Sequence, residues 1–80
     1  MANRTNISEL LVGQHGVLRA PAIVSSCILR LLEMGMTEGA TIQLIRRGPM
    51  GGPLLVVVRG TRLCLRRREA ACFPVKPLPS

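Results

Sequence analysis

The side chains that could do chemistry are few and scattered. One histidine (His15), three cysteines (Cys27, Cys64 and Cys72) and four glutamates (Glu9, Glu33, Glu38 and Glu69) are the whole stock of ligands, nucleophiles and bases, and aspartate is absent. A Ser-His-Asp triad cannot be assembled from this set. A pair of catalytic carboxylates would need two of the four glutamates to converge, and an oxygen cage for calcium or magnesium lacks ligands. His15 with the three cysteines has the composition of a Cys3His zinc site, yet no two of them show the short spacing of structural zinc ligands. A carrier of a divalent transition-metal ion would want the histidines and carboxylates that this chain nearly lacks. Cys64, flanked by Arg62 and Arg66, invites a reactive-thiolate reading against the plainer one of a quiet free thiol. Gly48, Gly51 and Gly52 miss the spacing and the Lys-Ser/Thr ending of a phosphate loop. No catalytic residue, no metal site and no cofactor are expected, and the chain reads as a non-enzyme.

What the sequence has in quantity is positive charge. Eleven Lys and Arg against four Glu give +7 over 80 residues, and only one of the eleven, Lys76, is a lysine. Such a balance favours anionic partners: nucleic acid, an anionic membrane face or an acidic protein. Aromatic residues make up 1% of the chain, with Phe73 alone. Single-strand binders stack bases on aromatic rings, so nucleic acid is the weaker reading. Three cysteines in no disulfide framework point to a reducing cytosol. The stretch Gly48 to Val58 is about half the length a membrane helix needs, and Glu9 and His15 interrupt any secretory signal.

The elements that must position these groups are short. With 48% hydrophobic residues the chain should fold, as one domain with an aliphatic core of about residues 7–75 and loose ends at 1–5 and 76–80. Val17 to Ala20 reads as a first strand. Ser25 to Met34 is the one good helix, with Ile28, Leu31 and Leu32 on one face, a serine cap and Gly35 as its stop. Thr41 to Arg46 alternates as a half-buried strand. Leu54 to Val58 reads as a central strand, and Gly60-Thr61 as the hairpin turn into Arg62 to Arg66. Arg67 to Ala71 suits one helical turn, and Phe73 with Val75 a closing strand. Five short strands closed into a small barrel, which removes exposed edges, with one helix after the first strand, give an all-β class. The helix Ser25 to Met34 is expected to cover the face of Leu55 and Val57, the sharper alternative being a partner or self-association strip. Met34 is expected in the core and Met50 exposed at a loop tip.

Four segments in order, Leu31 to Ile42, Arg46 to Leu54, Gly60 to Arg66 and Glu69-Ala70 with Val75, resemble the ferrous iron transport protein A (FeoA) family over roughly Ile7 to Val75. Glu38 stands where that family usually has proline, Gly52 where aspartate is frequent, and Cys64 where a small residue is expected. The resemblance implies an SH3-like barrel in the bacterial cytoplasm, supporting ferrous iron uptake through the FeoB membrane transporter, whose cytosolic part hydrolyses GTP. Similar domains form the C-terminal module of iron-dependent repressors, whose helix-turn-helix part has no room here.

The leading expectation is an adaptor that binds the cytosolic part of FeoB at the inner membrane face, with contact to anionic lipid open. Its expected contacts are Leu31, Leu32 and Met36 at the helix end, Met50 and Pro53 in the loop, and Arg46, Arg47 and Arg66. Arg46, Arg47, Arg59, Arg62, Arg66, Arg67 and Arg68 could form one cationic patch. The competing reading is a small basic barrel that binds nucleic acid or serves as a regulatory module.

Overall fold

The computed structural model describes residues 5–79. The frayed start expected for residues 1–5 falls almost wholly outside that range, as does Ser80. Five strands form one antiparallel sheet in the order β4-β3-β2-β1-β5, with β1 at His15–Leu18, β2 at Thr41–Arg47, β3 at Leu54–Val58, β4 at Thr61–Leu65 and β5 at Val75–Pro77. Helix α1 spans Ser26–Glu33 and helix α2 Arg67–Ala71, and a 3-10 turn covers Ile7–Glu9.

Alternation decides what faces inward. On β3, Leu54, Val56 and Val58 are fully buried, and across the hairpin they oppose Leu65, Leu63 and Thr61. Ile42 and Leu44 of β2 join them, and Ile28 and Leu31 of α1, Ala70 of α2, Phe73 and Val75 complete a single apolar cluster. Helix α1 therefore packs on the inner set. Leu55 and Val57, which it was expected to cover, lie on the other face as half-buried residues, opposite Cys64 and Arg62.

The sheet curls round this core without closing on itself. Strands β4 and β5 remain its two edges, so the expected removal of edges is not achieved by pairing. Strand β5 also takes in Lys76 and Pro77, part of the expected loose end. The reason lies in backbone pairing: Val17 opposes Lys76 and Leu78 N–H donates to His15 O at 2.9 Å.

The first strand begins and ends two residues earlier than expected, because Gly39 N–H and Ala40 O close on Leu18 and end the ladder there. At the hairpin, the turn is Arg59-Gly60 rather than Gly60-Thr61. Both residues have positive φ, 52° and 79°, the signature of a two-residue turn whose twist matches the flanking strands.

Candidate functional site

Helix α1 is built from its caps inward. Ser25 Oγ accepts the Ile28 N–H at 3.3 Å at the start, satisfying one of the free donors of the first turn. At the end, Gly35 (φ 112°) lets the chain reverse, its N–H donating to Leu32 O and the Met36 N–H to Leu31 O, both at 3.1 Å. This is the paired closing motif that glycine permits, and it brings the residue after the glycine back against the helix. Met36 is accordingly fully buried, and Met34, expected in the core, is 47% exposed.

The expected contact set is thereby divided. Met36 is wholly in the core, Leu32 is half-buried against it, and Leu31 is a core residue that keeps a small exposed area, 8%. Met50 and Pro53 are exposed, Met50 completely, at the loop between β2 and β3. Arg46 and Arg66 are exposed as well. Arg47 is held down: its Nη2 donates to Ser8 O at 2.9 Å and to Leu10 O at 2.7 Å. It ties the 3-10 turn to β2.

A bulge explains why Arg47 and not Arg46 does so. Strict alternation after Ile42 and Leu44 would send Arg46 inward. The register instead shifts between Leu44 and Arg46, so that Arg46 pairs with Leu55 on the outer face and Arg47 with Leu54 on the inner one. The extra residue, Ile45, keeps an arginine out of the core. Arg59 is also engaged, its Nε donating to Gly35 O at 3.2 Å and its Nη2 to Thr37 Oγ1 at 3.1 Å. Two of the seven arginines expected in one patch thus serve the fold.

A concave feature lies elsewhere. A groove of about 410 Å³ runs between α1 and β4, with Cys27, Arg30, Leu31 and Met34 on the helix side and Arg62, Leu63, Cys64 and Arg66 on the strand side. Its floor is Leu31 and Leu63, both nearly buried, and its rims carry three exposed arginines. Of the expected contacts, only Arg66 and the floor residue Leu31 are here. The place of Arg30, Met34, Arg62 and Cys64 in the groove is not legible in the sequence, because it depends on β4 being an edge strand beside a helix. The outward alternation of Arg62 and Cys64 was visible, but not their neighbour.

The groove offers guanidinium, thiol and apolar side chains with one carboxylate, Glu69. Cys27, Cys64 and Cys72 are all free thiols. Among the described residues no three His, Cys or Glu side chains gather into a metal-holding group. Phe73, the one Phe, Tyr or Trp of the chain, is fully buried, which denies nucleic-acid bases the stacking ring that single-strand binders commonly use. No helix among the described residues is long and apolar enough to cross a membrane.

A curled five-stranded antiparallel sheet capped by short helices, with its cationic groove at a sheet edge, defines the class: a small SH3-like barrel. The family model described as the FeoA domain matches residues 5–77, and the chain belongs to that family. Among solved structures, the FeoA protein of Chlorobium tepidum is 31% identical with a TM-score of 0.86, covering 94% of this chain and 71% of that one. FeoA of Stenotrophomonas maltophilia, solved with zinc, is 33% identical with a TM-score of 0.78, covering 90% of this chain and 89% of that one. That protein is described as a procaryotic SH3 domain protein and suggested as a ferrous iron transport activating factor. A manganese-dependent transcriptional repressor shares the fold alone, at 16% identity and a TM-score of 0.80, and this chain covers 41% of it.

Proposed function

We propose that this protein is a non-enzymatic accessory of ferrous iron uptake that binds the cytosolic GTPase region of a FeoB-type transporter and modulates the transporter's assembly or activity. The observation that carries this reading is the FeoA family match over residues 5–77. The exposed arginines support it, since a cationic surface steers association with an acidic partner. We place its action in the cytoplasm at the inner face of the membrane, in keeping with three free thiols and no pairing among them. Met50, Pro53, Arg46 and Arg66 remain our proposed contacts, joined by the groove residues Arg30 and Arg62. Self-association and contact with anionic lipid are compatible with this role and are not required by it.

Calorimetric titration of the full chain into the isolated cytosolic region and into the detergent-solubilised transporter tests the reading. Saturable binding to at least one of them is expected. Silence in both titrations, with no co-purification, would defeat it.

A further inference from the structure

The groove beside β4 has features of a particular kind of site. Arg62, Leu63 and Cys64 are consecutive, and their side chains alternate between the two faces of the sheet, yet all three line it. Side chains of opposite orientation can share a groove only if it runs along the strand's edge, over its backbone. The ladder identifies which backbone groups lie there. Val58 and Thr61 flank the two-residue turn and so form a hydrogen-bonded pair, and pairing alternates from that point. Thr61, Leu63 and Leu65 therefore bond to β3, and the N–H and C=O groups of Arg62 and Cys64 point away from it. Among the described residues neither Arg62 nor Cys64 has a backbone partner beyond the sheet. Helix α1 forms the opposite wall at a distance that leaves a groove rather than a seam.

An edge strand facing a helix across an open groove is the arrangement that accepts an extended peptide as an added strand. Charge selects which peptide. Arg30, Arg62 and Arg66 rim the groove against one acidic lining residue, Glu69, whose Oε1 already accepts the Arg66 N–H at 2.8 Å. A second copy adding through its own β4 would bring Arg62 and Arg66 against their equivalents, and like charges on an edge block such pairing.

We propose that β4 is a strand-addition site for an extended acidic segment of a partner protein. The incoming strand pairs with the Arg62 and Cys64 backbone. Its carboxylates meet Arg30, Arg62 and Arg66, and its alternate apolar side chains rest on Leu31 and Leu63. The proposal rests on the reading of the protein as an adaptor and adds the site and the chemistry of the segment it takes.

The test uses the intact protein and a capped heptapeptide of alternating Glu and Val, with an alternating Lys and Val peptide as control. Nuclear magnetic resonance should show the Arg62 and Cys64 amides protected from exchange on addition of the acidic peptide only. Arg62→Glu with Arg66→Glu should weaken binding by about tenfold or more. Cys64→Pro removes an outward N–H that β3 does not use and should abolish binding. Cys64→Ala, which keeps that N–H, should bind as the parent does, and the core resonances of Cys64→Pro, unchanged from the parent's, distinguish loss of the donor from loss of the fold. Equal binding of both peptides, binding without protection of these amides, binding unaffected by Cys64→Pro, or none at all overturns the proposal. So does concentration-dependent pairing of the protein through β4. If the transporter binds the double-charge variant as tightly as the parent, the edge site is wrong and the adaptor reading stands. If the acidic peptide binds as expected but the transporter never does, the site stands and the choice of partner is wrong.

Discussion

Met50 (φ 55°) and Arg59 (φ 52°) both hold left-handed backbone without being glycine, and their surroundings treat them differently. Arg59 gains two hydrogen bonds from its guanidinium, which offset the conformational cost at the hairpin tip. Met50 has no such return. Its side chain is completely exposed, so Met50→Asn, which tolerates this backbone better, should raise stability by about 0.5–1 kcal/mol. A urea midpoint that stays put or falls would show the loop to be unstrained. Gly35 is the opposite case. At φ 112° a β-carbon is strained, and it would also meet Arg59 Cδ at 3.4 Å. Gly35→Ala should therefore cost about 1–3 kcal/mol and disturb Met36, the residue the turn delivers to the core. The loss is read from the same denaturation experiment, with Gly39→Ala, where the new β-carbon meets nothing within 4 Å, separating backbone strain from crowding.

Strands show how local pattern and neighbour contacts divide the decision. The run Leu54 to Val58 declares itself by composition, and so does the helix by its spacing and caps. The end of the chain did not, since three prolines in its last seven residues suggested a tail. Pairing with β1 overrides that local preference, because an edge position tolerates proline. Val75 is buried, and its N–H donates to Thr5 O at 2.7 Å. Truncation after Pro74 should thus lower stability by about 3 kcal/mol or more, losing an apolar side chain together with the ladder. Removing only Pro79 and Ser80, beyond the Leu78 bond to His15, should change it by less than about 0.5 kcal/mol. Thermal unfolding followed by circular dichroism distinguishes the two truncations, and equal midpoints would mean that β5 contributes nothing.

As a whole, the molecule buries one apolar cluster and carries its charge on the outside, with Leu11, Val12, Ile23 and Val24 among the apolar side chains left exposed and no buried charged side chain among the described residues. An excess of seven positive charges therefore acts through its field. Association with the transporter's cytosolic region should slow by about tenfold between roughly 0.05 and 0.5 M salt while dissociation changes little, as long-range steering requires. Stopped-flow mixing measures both rates, and a salt-insensitive association rate would remove the arginines from the encounter. With Phe73 in the core, generic single-stranded DNA should not be retained at physiological salt.

Composition and pattern by themselves determined that the chain is a small aliphatic, arginine-rich β-domain with one capped helix, because alternation, capping and charge are properties of neighbouring residues. The same residues carried the family likeness. Only the tertiary structure decided that Arg47 is bound to the backbone of the 3-10 turn while Arg46 stands exposed on the outer face, since a one-residue bulge reverses the face of everything after it. It also decided that Leu31 and Met36 are core, and that β4 is an edge lying across a groove from α1. Which strand lies outermost, and what lies beside it, depends on contacts between segments far apart in the chain, and no local pattern encodes them.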